Sequence, residues 1–128
     1  MKVLLDTHAL IWWSSNDPRL SMVARELIQN PDTQVLVSAA SAWEIATKAR
    51  LGKLHGVQRL LSDFAALLAA DGFTHLPITH QHALLAGSFD LAHRDPFDRM
   101  LAAQALIENA VLLSNDPELR VFAVATHW

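Results

Sequence analysis

The chain contains no cysteine, and its 128 residues include only four glycines. The absence of cysteine excludes a disulfide framework and a thiolate zinc site, and it fits a reducing compartment. The glycines form no phosphate-cradling loop, which disfavours a dinucleotide-binding fold. No apolar run approaches the ~20 residues that span a bilayer, and the N-terminus lacks the features of a signal peptide. We therefore expect a cytoplasmic protein with no membrane contact.

The chain does have enough apolar material for a core. Its length suits a single domain, which we predict over residues 1–128, and 52% of its residues are hydrophobic. The formal net charge of −3 argues against a protein that binds nucleic acid through a general basic surface. It does not exclude recognition of phosphate through bound cations, because such ions reverse the local charge.

Short apolar runs alternate with stretches of helical apolar spacing along the whole chain. Strands are predicted at 3–5, 34–37, 73–76, 111–113 and 121–124. Helices are predicted at 7–13, 20–29, 41–51, 57–70, 79–86 and 96–108. This alternation is typical of βαβ units, so we expect an α/β protein whose parallel sheet has helices on both faces.

Four acidic residues stand near the points where predicted strands give way to helices: Asp6, Glu44, Asp98 and Asp116. In an open parallel sheet the carboxyl ends of the strands lie along one edge, and ligands bind in the crevice outside that edge. Carboxylates gathered there would form the oxygen-rich site that hard divalent cations prefer. The pattern therefore points to a metal site built from distant parts of the chain.

Each acid also has a structural explanation when it is taken alone. Asp6 and Asp116 are suited to cap the helices that follow them. Glu44 stands three residues after Ser41 in a capping-box pattern. Asp98 falls in the first turn of a helix, where the dipole favours an acid. These explanations do not require the acids to converge, whereas a shared cation would, since packed carboxylates repel one another without one.

Four basic residues stand close to two of these acids in sequence: Lys48, Lys53, Arg94 and Arg99. Each is a candidate for a phosphate contact, and each is otherwise a solvated charge or the partner of a neighbouring acid. Lys48 follows Glu44 by four residues, which is the spacing of a helical ion pair.

Seven histidines raise the question of zinc. His80 and His82 are two residues apart and would not face each other on a helix, and no further ligand stands at zinc-finger spacing. His8 and His93 lie near the acids, where they are candidates for substrate contact, although we favour a packed or solvated role. A zinc site is therefore disfavoured.

Five segments of the chain carry a family resemblance: 5–13, 41–48, 51–54, 93–104 and 112–116. The combination of Asp-Pro-Phe-Asp-Arg at 95–99 with Asp-Thr-His at 6–8 is the most specific part. Together these segments resemble the PIN-domain ribonucleases, and most closely the VapC-type toxins of bacterial toxin–antitoxin pairs. The resemblance runs nearly the full length of the chain.

The resemblance implies a three-layer α/β/α fold with a short parallel sheet, and a Mg²⁺- or Mn²⁺-dependent endoribonuclease that leaves 5′-phosphate and 3′-hydroxyl ends. It puts the family's acids on Asp6, Glu44, Asp98 and Asp116. Ser114 stands where threonine is more usual, and we expect Ser114 and Thr7 beside the carboxylates. It also implies an RNA substrate, a cognate antitoxin and a homodimer.

Two other readings remain. A catalytically silent PIN-like module that binds RNA or protein is the main alternative, although the presence of all four acids argues against it. A haloacid-dehalogenase-like phosphatase also opens with an apolar strand and an aspartate. That class needs a second aspartate two residues after Asp6, where this chain has His8.

Overall fold

Five short strands form a wholly parallel sheet in a computed structural model that describes residues 1–128. Their order across the sheet is β3-β2-β1-β4-β5. The strands are β1 (Lys2–Leu5), β2 (Gln34–Ser38), β3 (Thr74–Leu76), β4 (Val111–Leu113) and β5 (Thr126–His127). The predicted α/β class with a parallel sheet is confirmed.

Helices cover both faces of this sheet. They are α1 (Thr7–Ser14), α2 (Met22–Gln29), α3 (Ala39–Arg50), α4 (Gln58–Ala70), α5 (His80–Ser88), α6 (Pro96–Glu108) and a 3₁₀ helix (Pro117–Phe122). Successive side chains of β1 point to opposite faces, so Val3 and Leu5 join the core beneath α1, α2 and α4. Leu4 joins a second core beneath α6 and the 3₁₀ helix. No helix is long and apolar enough to cross a membrane.

The predicted fifth strand at 121–124 is wrong. Phe122 ends the 3₁₀ helix, Ala123 has a left-handed φ of 54°, and the true β5 pairs only Thr126 and His127 with β4. Phe122 and Val124 are buried in the second core. Their apolar character therefore reports burial under α6 and carries no information about strand conformation.

The predicted capping box of Ser41 and Glu44 is also wrong. β2 runs into α3 without a loop, and the helix is capped by Ser38, whose Oγ accepts a hydrogen bond from the backbone N–H of Ala40 at 2.9 Å. Glu44 lies in the second turn of α3 and is not at its start. A separate reason is therefore needed for a buried acid at this position.

The sheet reverses its winding direction beside β1, since the chain passes from β1 to β2 and β3 on one side and reaches β4 and β5 on the other. Leu5 pairs with Leu113, and the backbone N–H of Asp6 donates to the carbonyl of Leu113 at 3.1 Å. The carboxyl ends of β1 and β4 are thus adjacent at the switch point, where open α/β sheets bind ligands.

A buried polar network links the end of β2 to α6. The Ser38 hydroxyl donates to Gln104 Oε1, and Gln104 Nε2 lies 3.3 Å from His82 Nδ1. The backbone N–H of Thr79 also donates to His82 Nδ1 at 3.1 Å, so this nitrogen is an acceptor. The proton of His82 therefore sits on Nε2, which lies 3.3 Å from a carboxylate oxygen of Glu108. The network fixes α6 against the start of α3.

Candidate active site

The carboxyl edge of the sheet carries a cleft of about 200 Å³. Its walls hold six carboxylates, two imidazoles, one hydroxyl and a single ammonium group. The lining residues are Asp6, Thr7, His8, Glu44, Lys48, His93, Asp95, Asp98, Asp116 and Glu118. All four acids singled out in the sequence therefore line one cleft, although they come from four separate segments.

Asp6 follows β1 directly and caps α1. Its Oδ1 accepts a hydrogen bond from the backbone N–H of Ala9 at 2.7 Å, and the residue is only 6% exposed. Burial raises the pKa of the Asp6 carboxyl, and the charge of Glu44 adds to the rise. Hydrogen bonds from Ser114 and Ala9 and the charge of His8 oppose it. Asp6 is thus a helix cap and, equally, a desolvated carboxyl in the cleft wall.

Glu44 is held by donors on both of its carboxylate oxygens. The Thr7 hydroxyl donates to Oε1, and Lys48 Nζ donates to Oε2. Thr7 Oγ1 also lies 3.1 Å from the Ser41 hydroxyl. Because Thr7 has one hydroxyl proton and gives it to the carboxylate, Ser41 is the donor to Thr7. These contacts orient a buried acid that the capping box does not explain.

Asp98 lies in the first turn of α6, which Asp95 caps by accepting hydrogen bonds from the backbone N–H groups of Phe97 and Asp98 at 2.9 and 3.2 Å. His93 Nε2 lies 3.0 Å from Asp98 Oδ2. Burial raises the pKa of the Asp98 carboxyl to about 6; the charges of Asp95 and Glu44 support the rise, and the His93 hydrogen bond opposes it. Asp98 therefore gains its charge near pH 6.

Asp116 caps the 3₁₀ helix by accepting a hydrogen bond from the backbone N–H of Glu118 at 2.9 Å. Its own backbone N–H donates to Ser114 Oγ at 3.1 Å. The same hydroxyl lowers the pKa of Asp6 by hydrogen bonding. Ser114 thus links the first and last of the four acids, and Thr7 and Ser114 both lie where the sequence suggests.

Arg99 has a structural role in place of the predicted phosphate contact. Its guanidinium donates to the backbone carbonyls of Ala86 at 3.0 Å, Phe89 at 2.6 Å and His93 at 2.9 Å. These bonds tie the 89–95 loop to the start of α6. Because the guanidinium donors of Arg99 are bonded to backbone carbonyls, we no longer regard Arg99 as a candidate for a phosphate contact.

The other three basic candidates are of two kinds. Lys48 lies in the cleft beside Glu44. Burial alone would lower the pKa of Lys48, but the hydrogen bond and charge of Glu44, with two further acids, raise it. Lys53 and Arg94 are exposed, make no side-chain hydrogen bond or ion pair, and lie outside the cleft lining.

This arrangement can be compared with known proteins. The family model of the PIN domain matches residues 3–125. The chain belongs to the PIN domain family. Ribonuclease VapC22 of Mycobacterium tuberculosis is 33% identical over 119 residues, which cover 92% of this chain and 89% of that relative. The resemblance to the VapC-type PIN-domain ribonucleases is thus confirmed.

Solved structures share the PIN fold. VapBC2 from Rickettsia felis, bound to a DNA fragment from its promoter, aligns with a TM-score of 0.71 and 16% identity over 99% of this chain and 98% of that one. A toxin–antitoxin complex from Klebsiella pneumoniae aligns with a TM-score of 0.57 and 16% identity over 89% of this chain and 86% of that one. At such identities these structures speak to the fold alone.

Two residues have a larger part in the cleft of this PIN domain than the sequence analysis predicts. His93, a weak candidate for substrate contact, is the direct partner of Asp98. Glu118 was not a candidate, yet it lines the cleft with an oxygen 3.8 Å from His93 Nδ1. The sequence feature that could have identified Glu118 is Asp116-Pro117, which starts the 3₁₀ helix and keeps Glu118 in its first turn, at the carboxyl edge of the sheet.

The donor chemistry of the PIN cleft fits a hard cation, although the ligands are not preassembled. No three His, Asp or Glu side chains are arranged so that they could hold a metal ion. Mg²⁺ keeps several waters and commonly takes only one or two carboxylates, so it does not need such a cage. The raised pKa values of Asp6 and Asp98 mark carboxyl groups whose loss of water is not fully offset by the donors and charges around them.

Proposed function

We propose that this PIN domain is a divalent-metal-dependent endoribonuclease, the toxin of a toxin–antitoxin pair, which acts on RNA in the cytoplasm. We also propose that residues 1–128 form one PIN-like domain. The observation that carries the proposal is the meeting of four acids from distant segments in one cleft. Membership of the PIN family and the ribonuclease relative in Mycobacterium tuberculosis support it.

In this proposal Asp6 and Asp98 hold Mg²⁺, for which Mn²⁺ can substitute, and Asp116 and Glu44 complete the acidic shell. When bound, such an ion supplies an acidified water and a positive charge that offsets the phosphate. Metal binding requires ionised carboxylates, so the raised pKa of Asp98 makes binding weaker below about pH 6.

The polar neighbours of the acids hold them in a fixed direction. Thr7 donates to Glu44, and Ser114 supports Asp6, so neither carboxylate has to reorganise when RNA arrives. Lys48, Lys53 and Arg94 remain the candidates for phosphate contacts.

The test is cleavage of total RNA by wild type, Asp6→Asn and Asp98→Asn in Mg²⁺, Mn²⁺ and EDTA. We expect discrete fragments only with metal, and a rate loss of roughly 10²–10³-fold in either variant, the scale for removing one electrostatic group from an active site. Glu26→Gln, which alters an exposed acid on α2, should cleave as wild type does. Cleavage that survives EDTA or both active-site substitutions would contradict the proposal.

Thermal melting with added Mn²⁺ separates the proposal from a catalytically silent module that binds RNA or protein. A ligand that binds the folded state raises the melting temperature. Stabilisation without cleavage would indicate a narrow substrate that total RNA lacks. If Mn²⁺ does not raise the melting temperature, the proposed metal site is wrong and the catalytically silent module becomes the better interpretation.

A groove of about 520 Å³ between α1 and α4 is our candidate docking site for the antitoxin. Half of its twelve lining residues are apolar, namely Leu10, Trp13, Leu60, Leu67, Leu68 and Phe73. An amphipathic helix lays its apolar face into such a groove. A chain of similar fold occurs in a toxin–antitoxin complex from Klebsiella pneumoniae.

Co-purification with the product of the neighbouring open reading frame tests this docking. Leu67→Asp in the groove should abolish capture, whereas Leu61→Asp, on the same helix but outside the groove, should not. Equal capture by both variants would show that the antitoxin binds at a surface other than this groove. Light scattering on the free chain tests the homodimer that the family resemblance implies.

A further inference from the structure

Lys48 carries the one ammonium group among the ten residues that line the acidic cleft, and no guanidinium joins it. Its Nζ donates to Glu44 Oε2, and the two side chains are 29% and 5% exposed, respectively. A carboxylate as buried as Glu44 is costly without a partner. Lys48 therefore offsets the charge of Glu44 from within the protein.

The two donors on Glu44 differ in their freedom to leave. Thr7 is buried, and its hydroxyl is held by Ser41 as well as by the carboxylate. The ammonium of Lys48 stands at the end of a flexible four-carbon side chain, part of which is exposed to solvent. If one donor gives way at this carboxylate, it is Lys48.

A divalent cation that approached the same carboxylate would meet this ammonium at short range, where like charges repel strongly in a partly dry site. We propose that Lys48 is a resident counter-ion that competes with the divalent cation for Glu44 and so weakens metal binding in the cleft. This inference rests on the metal dependence in the proposed function.

The field of the cleft supports the same conclusion. Asp95 and Asp98 line the same cleft as Glu44, so three acids attract the Lys48 ammonium there. A neutral side chain of similar length at this position should leave Glu44 open to a metal ion.

The experiment measures Mn²⁺ affinity without RNA, from the electron paramagnetic resonance signal of free Mn²⁺ during titration. We expect Lys48→Met to bind Mn²⁺ at least about tenfold more tightly than wild type, since one repelling charge is gone. Lys48→Arg keeps the charge and should stay near wild type. Lys53→Met is the matched control, because this exposed lysine lies outside the cleft, and it should bind as wild type does.

Equal or weaker Mn²⁺ binding by Lys48→Met would overturn the inference and leave the proposed function intact, provided that wild type binds. Absence of Mn²⁺ binding in every variant would overturn both. These two failures are therefore distinguishable in a single titration series.

A measurement on the unaltered chain covers the case in which Lys48→Met does not fold. The sequence has three lysines, Lys2, Lys48 and Lys53, so ¹⁵N-lysine labelling gives ammonium signals that Lys→Arg variants assign. We expect Mg²⁺ to shift the Lys48 signal and leave Lys53 unmoved. A Lys48 signal that does not change while Mg²⁺ raises the melting temperature would overturn the inference.

Discussion

One wall of the acidic cleft is built by the sheet, and the opposite wall is built by a loop. The inner wall is Asp6, Thr7 and Glu44, each 6% exposed or less. The loop wall is His93, Asp95 and Asp98, each partly exposed. The inner wall starts where β1 ends, with no intervening loop. Two members of the loop wall, His93 and Asp95, lie within the seven residues, 89–95, that have no regular structure.

The two walls therefore depend on different interactions. Side chains of the inner wall bond to each other and to neighbours on β4 and α3, so the fold itself sets their positions. The loop wall depends on Arg99, whose guanidinium donates to one carbonyl of α5 and to two carbonyls of the loop itself. The acidic side chains of the inner wall are thus positioned by the sheet and its helices, whereas those of the loop wall are positioned by Arg99.

Removal of the Arg99 guanidinium should break the loop wall and spare the inner wall. We expect Arg99→Met to lower the free energy of unfolding by about 3 kcal/mol. Three carbonyls lose a charged donor that contributes roughly 1.5–3 kcal/mol per bond, and water recovers part of that sum because the site is only partly buried. Urea denaturation measures the loss. Arg94→Met, five residues earlier, removes an exposed arginine without a partner and should stay within about 0.5 kcal/mol of wild type. Equal losses in the two variants would show that Arg99 does not hold the loop.

Each wall holds a carboxyl whose pKa is raised by burial, Asp6 on the inner wall and Asp98 on the loop wall, and Asp98 changes its charge near pH 6. The folded-state pKa of Asp98, about 6, exceeds the ordinary value of 3.8, so the folded state binds this proton more tightly than the unfolded chain does. The resulting stability is fully present below pH 3.8 and is lost as pH rises to about 6. Asp98→Asn removes this loss and should gain on the order of 2 kcal/mol over wild type between pH 4 and pH 7.

Urea denaturation in EDTA at a series of pH values checks this gain. Glu26→Gln serves as the control, with a difference from wild type that does not vary through the same range. A flat difference for Asp98→Asn, or one that falls as pH rises, would refute the assignment.

The inner wall should respond least, because its members support one another. Thr7→Val keeps the shape of the side chain but removes the donor to Glu44 and the acceptor for Ser41. We expect a loss of about 1.5 kcal/mol in the free energy of unfolding, the low end for a hydrogen bond to a charged group, because Lys48 still donates to the carboxylate. Thr47→Val on α3 changes a threonine that makes no side-chain hydrogen bond, and it should be nearly neutral. A loss at Thr7 no larger than at Thr47 would argue against the inner wall as described.

The sequence predicts the sheet edge well because its strands are buried on both faces. The runs at 3–5 and 111–113 are continuously apolar and end in polar residues, so they mark both the strands and the positions of Asp6 and Ser114. The acids also double as helix caps, so local chain signals and the site coincide at Asp6, Asp95 and Asp116.

Other features could not be predicted, for identifiable physical reasons. An apolar run such as 121–124 reports burial and does not distinguish a strand from a 3₁₀ helix packed under α6. The role of Arg99 depends on backbone carbonyls, which every residue has and which leave no side-chain signature. Ser38 and Ser41 are equally good caps by type, and only the length of β2 decides between them.

The hydrogen bond between Ser38 and Gln104 joins the residue that caps α3 to the middle of α6, and those helices carry Glu44 and Asp98. A slide of α6 by one residue, about 1.5 Å, would break this bond and strand two buried polar groups. The distance between Glu44 and Asp98 across the cleft is therefore set by a hydrogen bond in the interior of the protein. A ligand that needs a wider opening must strain the core, so the size of what enters is limited by residues that it never touches.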